Sequence, residues 1–182
     1  MSMLIVIILL ILACGIGIYN GLITKRNKVK NAWGQIDVQL QRRFDLIPNL
    51  VEAVKGYMKH EANVLTNIAE LRTSWANATS VSEKAQLDNN LSNSLKTIMA
   101  VSENYPELKA SANFSELQEE LRTTENKISY ARQYYNDCVT IFNTSIEKFP
   151  NNIFANMLGF KQEELFKVED ESHRQNVKVD FN

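Results

Sequence analysis

From Met3 to Ile23 the chain runs for 21 residues without one charged side chain. A helix rises about 1.5 Å per residue, so a run of this length covers the roughly 30 Å hydrocarbon core of a bilayer and can span it once. A cleaved secretory leader would carry a basic stretch ahead of its apolar core, and Met1-Ser2-Met3 supplies none. The cations come afterwards, as Lys25, Arg26, Lys28 and Lys30. Because an excess of Lys and Arg marks the cytoplasmic flank of a span, the pattern predicts a membrane anchor over 1–24 with a short N-terminus outside and the rest of the chain inside. The four cations then lie level with anionic headgroups, where they set topology and can contact lipid.

Two features inside the run bear on this reading. Ile11-Leu12-Ala13-Cys14 resembles a bacterial lipoprotein cleavage box, which would lipidate Cys14 and export the domain, although Leu12 fits poorly and the basic stretch is again missing. A lone Cys in an apolar run more often behaves as a small apolar residue. Ala13, Gly17 and Gly21 recur every four residues, a small-residue face on which two spanning helices can approach closely and self-associate.

Composition narrows the remainder. With 45% apolar and 23% charged residues and few Gly or Pro, the chain suits one helical domain with an appendage rather than disorder. Lys plus Arg (20) nearly balances Asp plus Glu (21), so the strongly basic face that nucleic acid requires is not expected. The two cysteines, Cys14 and Cys138, fit neither a disulfide framework nor a zinc spacing.

Beyond the run, Val29, Trp33, Ile36, Leu40, Phe44 and Ile47 follow steps of four, three, four, four and three, one helix face that carries the spanning helix into the domain. Pro48 lacks an amide donor and clashes with the carbonyl four residues back, so the chain must kink there or start a new helix. The stripe resumes with Val51, Val54, Met58, Leu65, Ile68 and Trp75, beside Leu50, Tyr57, Val64 and Leu71 at seven-residue spacing, and predicts a single core helix ending near Asn77-Ala78-Thr79. Ser80 and Glu83 form a capping box for the next helix, which carries Leu87, Leu91, Leu95, Ile98, Val101 and Tyr105 and stops before Pro106. A loop to about Ala112 follows. Asn113 or Ser115 then caps a last long helix from Phe114 to Phe149, whose apolar positions alternate steps of three and four over 36 residues. The long helices occupy 25–150. Residues 151–182 read as a short helix around Ile153, Phe154, Met157, Leu158 and Phe160, then an extended tail with Phe166, Val177, Val179 and Phe181 that docks where it finds a groove.

The run Asp37-Val38-Gln39-Leu40-x-Arg42-Arg43-x-Asp45-Leu46-Ile47-Pro48-Asn49-Leu50-Val51 is joined by Asn31-Ala32-Trp33, Lys55-Gly56-Tyr57-x-x-His60-Glu61, Glu103-x-Tyr105-Pro106-x-Leu108-Lys109-Ala110, Ala131-Arg132-x-Tyr134-Tyr135-Asn136 and Gly159-Phe160. In these stretches the chain resembles the LemA family of bacterial membrane-anchored helical proteins, from about residue 20 onward. The resemblance implies an all-α fold: an N-terminal transmembrane helix followed by a cytoplasmic antiparallel four-helix bundle with a C-terminal appendage. It implies no reaction, because the family is largely without an assigned activity.

Chemistry at the level of residues is sparse. His60-Glu61 begins like a zinc-protease helix, but the second ligand position holds Val64. A Glu-x-x-His di-iron pattern fails because Tyr57 and Asp170 stand three residues before the two histidines, His60 and His173. Cys138 lies on an apolar stripe, where a thiol is inert. No catalytic residue, metal, cofactor or small-molecule substrate is expected. The charges around Pro48 are expected to hold a bend, with Arg42 and Asp45 three apart and Asn49 and Arg43 close by, in preference to binding a ligand. Tyr130 and Tyr134, four apart beside the stripe that carries Tyr135, either serve a protein interface or widen the core. The function expected is that of a membrane-anchored scaffold that forms a homo-oligomer or gathers other membrane-associated proteins. A sensor adaptor working through a Pro48 hinge and a lipoprotein anchored at Cys14 are the alternatives.

Overall fold

The computed structural model describes residues 2–58 and 60–167, and among them every regular element is helical. Val177, Val179, Phe181 and His173 lie outside the described residues. The helices are α1 (Ser2–Asp45), α2 (Ile47–Lys55), α3 (Ala62–Asn77), α4 (Val81–Ser102), α5 (Pro106–Lys109), α6 (Ala112–Glu147) and α7 (Asn151–Met157). Among the described residues they form two compact units, one of residues 2–46 with 118–165 and one of 47–117 with 166–167.

In the first unit the apolar run and the charged stretch after it are one continuous helix of 44 residues. Its buried face begins at Leu22 and continues through Val29, Ala32, Ile36, Leu40 and Phe44, at the helical spacing anticipated, with Trp33 half-buried. α6 runs along the same side of α1, where Tyr135 meets Trp33, and buries Leu121, Ile128, Tyr135, Val139 and Phe142. Arg43 meets Glu125 and Trp33 meets Tyr135, so rising numbers on α1 pair with falling numbers on α6 and the two helices are antiparallel. The α6 helix has the 36 residues foreseen but begins earlier. Its first turn already uses the Ser111 carbonyl, to which Ser115 donates, so Asn113 and Ser115 lie inside the helix instead of capping it.

The chain then reverses through α7. Gly159, at φ 71, ends that helix in the left-handed conformation that glycine adopts without strain. The Phe160 amide returns to the Ala155 carbonyl at 3.0 Å and the Gly159 amide to that of Asn156 at 3.3 Å, the two bonds that close a Schellman motif. The extended segment after it is tied to α6. Asn143 both donates to the Glu163 carbonyl and accepts from its amide at 2.9 Å, and the Tyr135 hydroxyl donates to the Glu164 carbonyl at 2.7 Å. Burial, ahead of the nearby Glu163 and Glu164 carboxylates, pushes the Tyr135 phenol up to about 12, since the ionised form would lose water and gain like-charged neighbours.

The second unit corrects one expectation. The stripe after Pro48 does not form a single helix to Asn77: α2 stops at Lys55, and α3 starts only at Ala62. Glycine in a helix interior costs about 1 kcal/mol relative to alanine, and Gly56 is where the helix gives way. Met58, buried, and Glu61, whose carboxylate accepts from the Tyr105 hydroxyl at 3.1 Å, hold the turn against the core. The break moves Tyr57 off the seven-residue spacing and into solvent, while Leu50 and Leu71 stay buried. Pro48 is the second residue of α2, a position whose amide has no intrahelical acceptor, so the missing donor costs nothing.

Helices α3 and α4 form an antiparallel hairpin, marked by Asn67 against Ser94 and by Lys84 4.8 Å above the Trp75 ring. The capping box between them is present in full. The Ser80 hydroxyl accepts from the Glu83 amide at 3.1 Å, and the Glu83 carboxylate accepts from the Ser80 amide at 3.2 Å and the Thr79 amide at 3.1 Å. Those backbone bonds hold the Glu83 carboxyl below its ordinary 4.5. Where a loop was expected, Pro106 opens the single turn α5, a proline placed at the first position of a helix.

Candidate interaction surface

The charged ladder and the groove belong to the first unit, and Pro48 and Asn49 open the second. Arg43 falls on the buried face of α1, one residue before Phe44, and only 4% of its side chain is exposed. A guanidinium removed from water needs a counter-charge, and α6 supplies it: the Glu125 carboxylate lies 2.7 Å from Nη1. One residue back, Arg42 reaches Glu120 at 3.7 Å, both side chains about half exposed, which makes that pair worth little. Asp45 accepts from the Gln41 amide at 2.8 Å. The Leu46 amide is shared by the Arg42 and Arg43 carbonyls at 3.3 Å each, and Pro48 and Asn49 are exposed just beyond. The two arginines are therefore directed to acidic residues of α6, more than 70 residues away in the chain.

Beside this ladder runs an open groove of about 650 Å³. On α1 it is lined by Asn31, Gly34, Gln35, Val38 and Gln39, at helical spacing and one step around from the buried Ala32, Ile36 and Leu40. On α6 it is lined by Lys127, Tyr130, Ala131 and Tyr134. Tyr130 is 77% exposed, Val38 64% and Tyr134 49%, so large apolar surfaces meet water beside amide, hydroxyl and ammonium groups. Aromatic rings with polar tips over a shallow, mixed groove are the materials of a protein interface. The hydrogen bond with Cys138, ahead of its charge and of burial, holds the Tyr134 phenol above its ordinary 10. Cys138 itself is buried.

Most of the remaining residues singled out in the sequence lie along α1. Lys28 and Lys30 are exposed, Lys25 and Arg26 half-buried, and the Arg26 guanidinium stands 5.2 Å from the centre of the Phe160 ring. Around Gly17 and Gly21 an added Cβ would meet nothing, and Ala13 and Cys14 are exposed, so this side of the helix is open. His60 sits exposed in the turn before α3. Among the described residues no three His, Cys, Asp or Glu side chains gather as metal ligands would.

Sequence reading missed Glu120 and Glu125 as partners and the α1 side of the groove. A signal for the first was present: Arg43 lies three residues after Leu40 on the apolar stripe, and acidic residues five apart flank Leu121 on the helix that must cover it.

These features define an all-helical chain whose N-terminal helix is long and apolar enough to cross a membrane and continues into a packed helical region with an exposed aromatic groove. The chain belongs to the LemA family, which its residues 32–181 match. Among curated relatives it is 26% identical to Protein LemA of Metamycoplasma hominis over 161 residues, covering 85% of this chain and 71% of that protein. It is 25% identical to Magnetosome protein MamQ 2 of Paramagnetospirillum magneticum over 175 residues, covering 82% of this chain. With Magnetosome protein MamQ of Magnetospirillum gryphiswaldense it shares 23% identity over 174 residues. The chain spans 64% of the length of each of these two MamQ proteins.

Proposed function

We propose that this protein is a single-pass membrane-anchored scaffold, with its N-terminal end outside, its helical domain at the cytoplasmic face, and the Tyr130 and Tyr134 groove as the surface that gathers partners or further copies of itself. The observation that carries the reading is the contrast along α1. From Met3 to Gly21 no residue of this helix is buried, although the same helix buries one face from Leu22 onward. Each Leu or Ile left in water forgoes about 1.5–3 kcal/mol, so a run of this length needs lipid around it. The basic flank at Lys25 to Lys30 supports the orientation, and relatives described as magnetosome proteins support a place at membranes. No catalytic residue is proposed.

Orientation is tested by protease treatment of spheroplasts: the domain stays intact until the membrane is opened, and digestion of unopened spheroplasts defeats the topology. Intact mass of the membrane-extracted chain checks the anchor, with an unmodified Cys14 and a retained Met1 expected. Scaffolding is tested by native mass measurement in mild detergent. Tyr130→Ala with Tyr134→Ala is expected to shift the protein to monomer or strip its partners, and an unchanged assembly removes the groove from the proposal. A second reading, signalling through the Pro48 region, is favoured by one observation: the chain leaves its first compact unit between Leu46 and Ile47, where α1 ends and α2 begins. Spin-label distances across that junction that do not respond to any membrane or partner condition would set it aside.

A further inference from the structure

We propose that the segment from Phe149 to Phe160, centred on α7, is a second membrane-contacting element that sinks an apolar edge into the headgroup and upper acyl region beside the spanning helix. The proposal rests on reading α1 as the bilayer span. Its starting observation is depth. The Phe154 ring packs against Gly15 so closely that an added Cβ would lie 2.9 Å from Cε1. Gly15 stands eight residues inside the end of the apolar run at Ile23, about 12 Å along the helix axis. Phe160 meets Tyr19, four residues inside that end, with ring centroids 6.3 Å apart, and lies beneath Arg26, just beyond it. The segment around α7 therefore lies alongside the last turns of the span, from just beyond the end of the apolar run to about 12 Å inside it.

The outward surface of the segment suits that level. Phe149 is 80% exposed, Met157 77%, and Ile153 and Leu158 about half. Ile153 and Met157 stand four apart on α7 and so share an edge, Phe149 is exposed in the turn before the helix, and Phe154 and the buried Ala155 turn toward the protein. From 149 to 160 there is no charged residue, and Lys148 and Lys161 bracket the segment, both exposed. Apolar residues on one side, amides of Asn151 and Asn156 between them, and flanking lysines whose stems can lie along lipid while their ammonium groups reach phosphate make up an interfacial segment. Lipid is the occupant because the edge continues the lipid-facing surface of α1 at the same depth; a water-facing edge of this kind would be left uncovered.

The test uses the full chain with Cys14→Ser and Cys138→Ala, carrying one environment-sensitive thiol probe at a time through Met157→Cys, Ile153→Cys, Leu12→Cys or Ser129→Cys. The protein is reconstituted in phosphatidylcholine vesicles containing a minority of phosphatidylglycerol, with nitroxide-bearing lipid as the membrane quencher and iodide as the aqueous one. Positions 153 and 157 are expected to lose about half their emission or more to nitroxide lipid and to resist iodide, as an interfacially buried probe does. Position 12 should be quenched by lipid, and position 129 by iodide alone. Probes at 153 and 157 that behave like 129, while 12 is quenched by lipid, overturn the proposal and leave the span intact. Escape of position 12 from lipid quenching defeats the span reading itself. Protection at 157 that fades when the protein is diluted into excess lipid shows a second copy covering the edge and likewise overturns it.

Discussion

The two halves of α1 share one unbroken backbone and differ in every rule that governs their side chains. From Met3 to about Gly21 apolar residues surround the helix on all sides, and nearly every one is exposed. From Leu22 to Phe44 most apolar residues keep to one buried face, with Val38 exposed off it, and the rest is mainly Lys, Arg, Asn, Gln and Asp. A uniform apolar surface asks for a uniform apolar solvent; a stripe asks for a partner of matching width. The stripe finds α6, and beyond its end the short segment around α7 lies against the apolar half, at Gly15 and Tyr19. On the spanning reading proposed above, the change of solvent falls within the last turns of the run, where Leu22 is already buried and Ile16 is still 63% exposed.

Truncation of the same size in the two halves separates them most sharply. Phe142→Ala removes a fully buried ring from the α6 side of the seam and is expected to cost about 3–5 kcal/mol, read as a large fall in the thermal midpoint of detergent-solubilised protein. Leu10→Ala, at a side chain 65% exposed, should change that midpoint by less than about 0.5 kcal/mol equivalent. Equal losses would mean that protein, not lipid, covers the first half. The reverse experiment places a charge in each half. Leu9→Arg should cost about 2.5–3.5 kcal/mol of insertion and move protein from the membrane to the soluble or degraded fraction. Val38→Arg, on the exposed edge of the groove, should leave fractionation unchanged, and a shared fate would erase the distinction.

How far the sequence revealed this depends on the range of the interaction. The span, the stripe on α1, the length of α6 and the Ser80 capping box rest on residues within a few positions of one another, and local spacing carries them. The break between α2 and α3 did not show in the apolar pattern, because the stripe continues through Gly56 and only the backbone preference of that residue opposes it. The partners of Arg42 and Arg43 were hidden for a different reason: Asp45 competes as a near neighbour in sequence, whereas Glu120 and Glu125 become neighbours only when α6 returns antiparallel to α1. The groove at Tyr130 and Tyr134 was half legible, since the tyrosines stand off the core stripe, but Gln35 and Gln39 carry no signal until the two helices meet.

The Arg43 pair gives the next smaller effect within the protein-facing half. Glu125 is 45% exposed, so water screens its side of the contact, and Glu125→Ala is expected to destabilise by about 1–2 kcal/mol. Arg43→Ala removes a buried stem as well as a charge and should cost more, about 2–4 kcal/mol. Arg42→Ala, from a half-exposed pair at 3.7 Å, should fall below about 0.5 kcal/mol. Equal losses at the two arginines would show that the ladder acts as one exposed network and not through one buried partner.

A further modest effect lies in the second unit, at the cap that starts α4. Ser80→Ala removes the acceptor for the Glu83 amide and is expected to cost about 1 kcal/mol at neutral pH. Glu83 adds a pH signature. Its folded carboxyl sits below the ordinary 4.5 because the Ser80 and Thr79 amides donate to its ionised form, so those bonds contribute in full above the unfolded pKa and are lost as pH falls through the folded one. A Glu83→Gln chain should therefore melt below the parent at neutral pH and approach it on acidification below about 4.5. The equivalent comparison with Arg42→Ala tests whether the pH dependence belongs to the cap: that difference is already small at neutral pH and has little left to lose. If the Glu83→Gln gap persisted undiminished into acid, the contribution of Glu83 would come from its side-chain packing, and the reciprocal bonds at Ser80 would not be what sets the start of α4.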